Sequence, residues 1–143
     1  MFIGVCLPDH FAKSIERIRF ASGALWEGID IPGDALSMLI IVKLPFAVPD
    51  PISDYEQTLY SGMDEYKARV IVPEMLIKLK QGFGRLIRSE SDTGVVAILD
   101  CRTGLVGNYR TRVLEALPNC RVTSNIDDVR QFIMAKKTPE YFR

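Results

Sequence analysis

The chain has 143 residues, 48% hydrophobic and 25% charged, and a formal net charge of zero. That size suits one domain, burying about 68–70% of its unfolded surface, and a neutral chain has no global field, so any polyanion site must be a local patch. Cys6, Cys101 and Cys120 lie far apart beside a single histidine, which excludes metal spacing and reads as reduced, buried thiols in a cytoplasmic protein.

In chain order, residues 2–7 read as a short strand, too brief for a signal peptide. Asp9 then caps a helix to about Arg17, with Phe11, Ile15 and Ile18 on one side. His10 beside that cap is solvated or capping, since no second ligand or nucleophile is near it in the sequence. Residues 18–21 form a brief strand that feeds the loop Ser22-Gly-Ala-Leu-Trp-Glu-Gly-Ile-Asp-Ile-Pro-Gly33. Three glycines, a proline and two carboxylates make this a structured loop at a strand end, where parallel α/β sheets bind ligands. Residues 38–42 are apolar on both faces, as in a central parallel strand. The prolines of residues 43–51 then predict a stiff, extended loop.

Ser53 is expected to cap a helix through about Lys67, with Glu56 completing a capping box. Asp64-Glu65 superficially resembles a magnesium-holding Asp-Glu box, but no apolar strand precedes it, so it reads as helix surface. Residues 73–88 predict the organising helix, with Pro73 in its first turn. Leu76, Leu79, Phe83, Leu86 and Ile87 form its apolar stripe. Lys78, Gln81, Arg85 and Arg88 rise along roughly the opposite side, two guanidinium forks one turn apart. Gly82 and Gly84 each cost about 1 kcal/mol against Ala mid-helix, so a helix keeping both implies close approach to its backbone. Two readings follow: a surface helix with solvated arginines, or an anion site in which the forks match phosphate oxygens.

Residues 95–99 predict a second buried strand, ending in the polar Asp100-Cys101-Arg102. Residues 109–117 are an amphipathic helix, 121–123 an edge strand, and 126–137 a last helix with Ile126, Val129, Phe132 and Ile133 inward. Alternating strands and helices give an α/β fold with a parallel sheet. No apolar run reaches the length of a membrane span, so no membrane partner is expected.

Ser22-x5-Gly28-x-Asp30 resembles motif V of superfamily 2 helicases, and Gln81-Gly-Phe-Gly-Arg-Leu-Ile-Arg88 resembles their motif VI, Q-x-x-G-R-x-x-R. The strings Trp-Glu-Gly-Ile-Asp-Ile-Pro-Gly, Lys-Leu-Pro-Phe-Ala-Val-Pro and Gly-Arg-Leu-Ile-Arg-Ser-Glu-x-Asp-x-Gly look like the DinG-type branch, relatives of the xeroderma pigmentosum group D helicase. The likeness covers roughly residues 17–143.

The resemblance implies the second, C-terminal RecA-like lobe of an ATP-dependent DNA helicase. By motif, Arg85 and Arg88 look like arginine fingers reaching the γ-phosphate of an ATP held with Mg mainly on the first lobe. Gln81 would orient near that phosphate or its attacking water. Gly28 would offer backbone N–H at the cleft, and Asp30 would accept from a ribose hydroxyl or couple its loop to the arginine helix. Ser22 aligns with the hydroxyl that touches the nucleic-acid phosphate backbone. The implied partners are the first lobe and single-stranded DNA. Glu27 is typical of the branch, but its chemistry assigns no role.

The departures matter as much. The chain has no G-x-x-x-x-G-K-[ST] and no strand-borne Asp-Glu box, and the four-cysteine iron–sulfur cluster of many relatives is absent. The lobe looks truncated on its N-terminal side, with residues 1–16 an atypical segment of a single domain spanning 1–143. The chain thus resembles half a motor. The alternative is a free-standing lobe that binds nucleic acid or protein without turnover.

Overall fold

A computed structural model describes residues 37–87 and 92–136. The strands expected at 2–7 and 18–21, the helix from Asp9 and the loop from Ser22 to Gly33 lie outside the described residues, as does Arg88.

Two short apolar segments form the sheet: β1, Met38–Ile41, and β2, Val95–Ile98. They pair in parallel, in register from Met38↔Val95 to Ile41↔Ile98. Val95 N–H donates to the Ser37 carbonyl at 3.0 Å and Leu99 N–H to that of Ile41 at 2.8 Å, extending the ladder at both ends. Parallel strands require a long crossover, and here it is helical. The described residues therefore form the expected RecA-like arrangement, a parallel sheet flanked by helices.

Helix α1 spans Pro51–Gln57. Its cap corrects the expectation of a helix starting at Ser53. Asp50 is the N-cap, its carboxylate accepting from the N–H groups of Ile52 (2.9 Å) and Ser53 (2.8 Å). Ser53 reciprocates from the third helical position, its hydroxyl oxygen accepting from Asp50 N–H at 2.9 Å. Pro51 has no N–H to satisfy and a φ suited to the first turn, so it opens the helix rather than closing the extended loop. The helix does not run on to Lys67. It stops at Gln57, and a turn through Gly62 leads to α2, Met63–Tyr66.

From α2 the chain stays helical through a π-turn, Lys67–Ile71, into α3, Val72–Leu86. Pro73 explains the π-turn. In α geometry its ring would strike the carbonyl four residues back, at Arg69. Wider winding relieves that clash, and Val72 N–H donates instead to Lys67, five residues back. The expected helix of residues 73–88 thus begins one residue earlier and ends at Leu86. Ile87 follows in extended conformation, with φ −117° and ψ 107°.

The buried stripe of α3 is Val72, Met75, Leu79, Gly82 and Leu86. Leu79 and Leu86 are as expected, whereas Leu76 and Phe83 are only half-buried. Ile41, Leu44, Val72, Met75, Leu79 and Val113 form the core. Val113 comes from α4, Arg110–Ala116, which packs on α3.

The thiols expected to be buried are not: Cys101 and Cys120 are both exposed, and Cys6 lies outside the described residues. Two further expectations fail beyond α4. Residues 121–123 form no strand; all three are exposed. Their polar groups serve the next helix instead. Thr123 Oγ1 donates to Asp128 at 2.6 Å and accepts from Asn125 N–H at 3.0 Å, while Asn125 Oδ1 accepts from Asp127 N–H at 2.9 Å. That helix is α5, Ile126–Lys136. Ile126, expected inward, is exposed; Val129, Phe132 and Ile133 are half-buried. Between α5 and Met38 of β1 lies an open apolar groove of about 440 Å³. Among the described residues, no helix is long and apolar enough to cross a membrane.

Candidate functional site

The part of α3 outside its buried stripe carries the first candidate group. Gln81 is exposed and Arg85 half-exposed. Four residues apart on one α-helix, their Cβ atoms stand one above the other on a single face. Lys78, half-buried, lies one turn before them. Burial of Val72, Met75, Leu79 and Leu86 fixes the rotation of α3, and that rotation turns Gln81 away from the core and leaves Arg85 half-buried on the flank of the stripe. An amide and a guanidinium offer N–H donors and a positive charge, a donor set suited to an anionic oxygen such as a phosphate.

The two glycines of this helix part company. Gly82 is buried within the stripe, in keeping with close approach to the helix backbone. A Cβ at Gly84 would meet open space, so nothing among the described residues demands glycine there. Of the other site residues expected from the sequence, Ser22, Gly28, Asp30 and Arg88 lie outside the described residues. Asp64 and Glu65 stand at the start of α2. Glu65 accepts from Ser61 N–H at 3.0 Å and pairs with Arg69 at 3.0 Å, which makes it the helix surface expected. Among the described residues no group of three or more His, Cys, Asp or Glu is placed to hold a metal ion.

A second constellation joins the carboxyl ends of the two strands. Asp100, only 7% exposed, follows β2. Its carboxylate accepts from Leu44 N–H at 2.9 Å, in the loop after β1. It also accepts from Arg102 Nε at 2.9 Å, Arg102 Nη2 at 2.6 Å and Arg102 N–H at 3.0 Å. The Arg102 hydrogen bonds hold the Asp100 carboxyl well below the usual carboxylate range, helped by the Leu44 and Arg102 backbone N–H groups against the opposing effect of burial. Asp100 in turn raises the Arg102 guanidinium. The guanidinium lies 4.6 Å from the centre of the Phe46 ring and 5.9 Å from that of Tyr109. Those rings meet edge to face at 5.4 Å.

The segment after Arg102 must therefore fold back sharply. Tyr109 N–H donates to the Arg102 carbonyl at 3.1 Å, and Gly107 N–H to that of Gly104 at 2.9 Å. A Cβ at Gly107 would stand 2.1 Å from the Arg102 carbonyl oxygen, so only glycine fits. The sequence marks Asp100 and Arg102 only as polar residues at a strand end; their contacts with Leu44 and Phe46 cross more than fifty residues and leave no local signal.

The family described as the helicase C-terminal domain matches residues 8–120. The chain belongs to that family, in its DinG-type branch. It is 41% identical over 133 residues to the ATP-dependent DNA helicase YoaA of Haemophilus influenzae, which covers 91% of this chain and 20% of the relative. It is 35% identical over 135 residues to the 3'-5' exonuclease DinG of Bacillus subtilis, covering 92% of this chain and 14% of the relative. With the ATP-dependent DNA helicase DinG of Photobacterium profundum it shares 41% over 112 residues, 77% of this chain and 16% of the relative. This helicase-family lobe thus spans a fifth or less of the length of these relatives.

Proposed function

We propose that the chain is the C-terminal motor lobe of an ATP-dependent DNA helicase, a single RecA-like unit over residues 1–143, acting in the cytoplasm with a first lobe and single-stranded DNA. The observation that carries this reading is the placement of Gln81 and Arg85 one turn apart on α3, Gln81 opposite the buried stripe and Arg85 on its flank. That pair supplies positive charge and N–H donors at fixed positions, which is what a phosphoryl-transfer transition state needs from a neighbouring lobe.

Arg85, with Arg88 beyond the end of α3, acts as an arginine finger, and Gln81 orients the phosphate or the water. Gly28 and Asp30 complete the cleft on this lobe, and Ser22 touches the nucleic-acid backbone. ATP with Mg, carried mainly by the first lobe, supplies the phosphoryl group. This chain contributes no Walker lysine of its own and is inactive alone. A lobe that only binds nucleic acid or protein is the competing reading.

Paired variants in the protein carrying both lobes separate the roles. Arg88→Ala is expected to abolish strand separation while leaving DNA affinity nearly intact, because DNA contacts here come from hydroxyls and backbone amides. Ser22→Ala is expected to weaken DNA affinity while basal hydrolysis stays near normal. Normal ATP turnover in Arg88→Ala would remove the finger assignment.

A further inference from the structure

The loop between β2 and α4 and the approach to α5 enclose a second pocket, of about 320 Å³, lined by Leu105, Arg110, Val122, Thr123 and Ser124. We propose that this pocket binds single-stranded nucleic acid, a backbone phosphate at Arg110 and Ser124 and a base against Leu105 and Val106. The proposal rests on the helicase-lobe reading and adds a contact surface outside its motifs.

Charge is the first argument. The whole chain is neutral, yet residues 101–125 hold four arginines (Arg102, Arg110, Arg112, Arg121) and one acid, Glu115. Arg102 is spent on Asp100, with Nη2 2.6 Å from its carboxylate. Arg110 is not spent in this way. Its Nη1 donates to the Thr103 carbonyl at 3.3 Å, the one hydrogen bond its side chain makes among the described residues. That bond aims the fork and leaves its other donors available for a phosphate. The Ser124 hydroxyl makes no hydrogen bond among the described residues.

The nearby carboxylate does not oppose the site. Asp128 already accepts from Thr123 at 2.6 Å and faces Arg121 at 3.6 Å.

The apolar rim decides the ligand class. Leu105 is 78% exposed and Val106 is 98% exposed, at the tip of a loop pinned by the Gly107 and Tyr109 hydrogen bonds. Two apolar side chains held in water beside a guanidinium suit a ligand with an apolar face next to an anion. An unstacked base with its phosphate has that form, whereas duplex DNA keeps its base faces stacked away.

The test is anisotropy of fluorescein-labelled oligo(dT) with the full chain in nucleotide-free buffer, across roughly 50–200 mM salt. Loss of one phosphate contact in Arg110→Gln is expected to lower the slope of log affinity against log salt by about 0.7, which is about fivefold in affinity at 0.1 M. Val106→Glu, at a nearly fully exposed position where folding is not at stake, is expected to weaken binding too. Arg69→Gln removes an exposed guanidinium from the π-turn and is expected to leave the slope unchanged. Wild-type affinity and slope in both Arg110→Gln and Val106→Glu overturns the site, as does an equal loss in Arg69→Gln or no binding by the wild type. The α3 assignment is read from ATP turnover, so either proposal fails without the other.

Discussion

Asp100 is the residue on which the carboxyl end of the sheet depends. It is nearly buried, it holds the loop after β1 through Leu44 N–H, and it orients Arg102. Charged hydrogen bonds of this kind are worth about 1.5–3 kcal/mol. The lower part of that range applies, because the Arg102 side chain is 43% exposed. Asp100→Asn is therefore expected to lower unfolding free energy by about 2 kcal/mol in urea denaturation. The pH dependence has a definite sign. A carboxyl depressed on folding adds stability that is present above its unfolded value, about 3.9, and is lost as pH falls through the folded one. Wild-type stability should drop below pH 4 more steeply than that of Asp100→Asn. Parallel curves would show that Asp100 carries no such charge.

Two glycines give a contrast at the same scale. Gly107→Ala drives a Cβ into the Arg102 backbone, and is expected to destabilise the chain by several times the usual Gly-to-Ala difference of about 1 kcal/mol. Gly84→Ala meets open space and is expected to raise stability by about 1 kcal/mol. Thermal melts of the two variants should move in opposite directions. The double-glycine pattern alone implies one cause for both Gly82 and Gly84. Burial separates them, and periodicity alone does not report which face of a helix another element covers.

At the scale of elements, α3 was legible as a helix because its apolar spacing spans four turns, but its ends and its stripe were not. Pro73 marked a first turn; that the helix continues backwards through a π-turn depends on the clash with Arg69 and the bond from Val72 to Lys67. Cap competition decided α1. Ser53 and Asp50 are both good cap residues, and Pro51 at the first helical position settles it for Asp50. Asp50→Ala is expected to cost about 1 kcal/mol, and more than Ser53→Ala, since Asp50 accepts two backbone N–H groups. Chemical denaturation of the two variants tests that order. Residues 121–123 misled because a β-branched pair between polar residues reads as an edge strand, while Thr123 is engaged in capping α5.

For the whole molecule, the parallel pairing followed from two apolar runs, 38–42 and 95–99, separated by helical pattern; each strand proves one residue shorter. The helix that carries Gln81 and Arg85 was legible from its periodicity, and α3 bears the two residues one turn apart. The Asp100–Arg102 junction was not, since it joins segments more than fifty residues apart. The organisation has one consequence for activity. On the proposed reading, a lobe without a phosphate-cradling loop works only against a nucleotide held by another lobe, so the chain alone is expected to show no ATP turnover.

The most direct measurement is steady-state ATP turnover, with and without single-stranded DNA, of the two-lobe protein and its Arg85→Ala and Arg85→Lys variants. The account predicts a loss of about 10³–10⁵ in turnover for Arg85→Ala, little rescue by lysine because an ammonium lacks the planar fork, and DNA affinity close to wild type. Near-normal DNA-stimulated turnover in Arg85→Ala would contradict it.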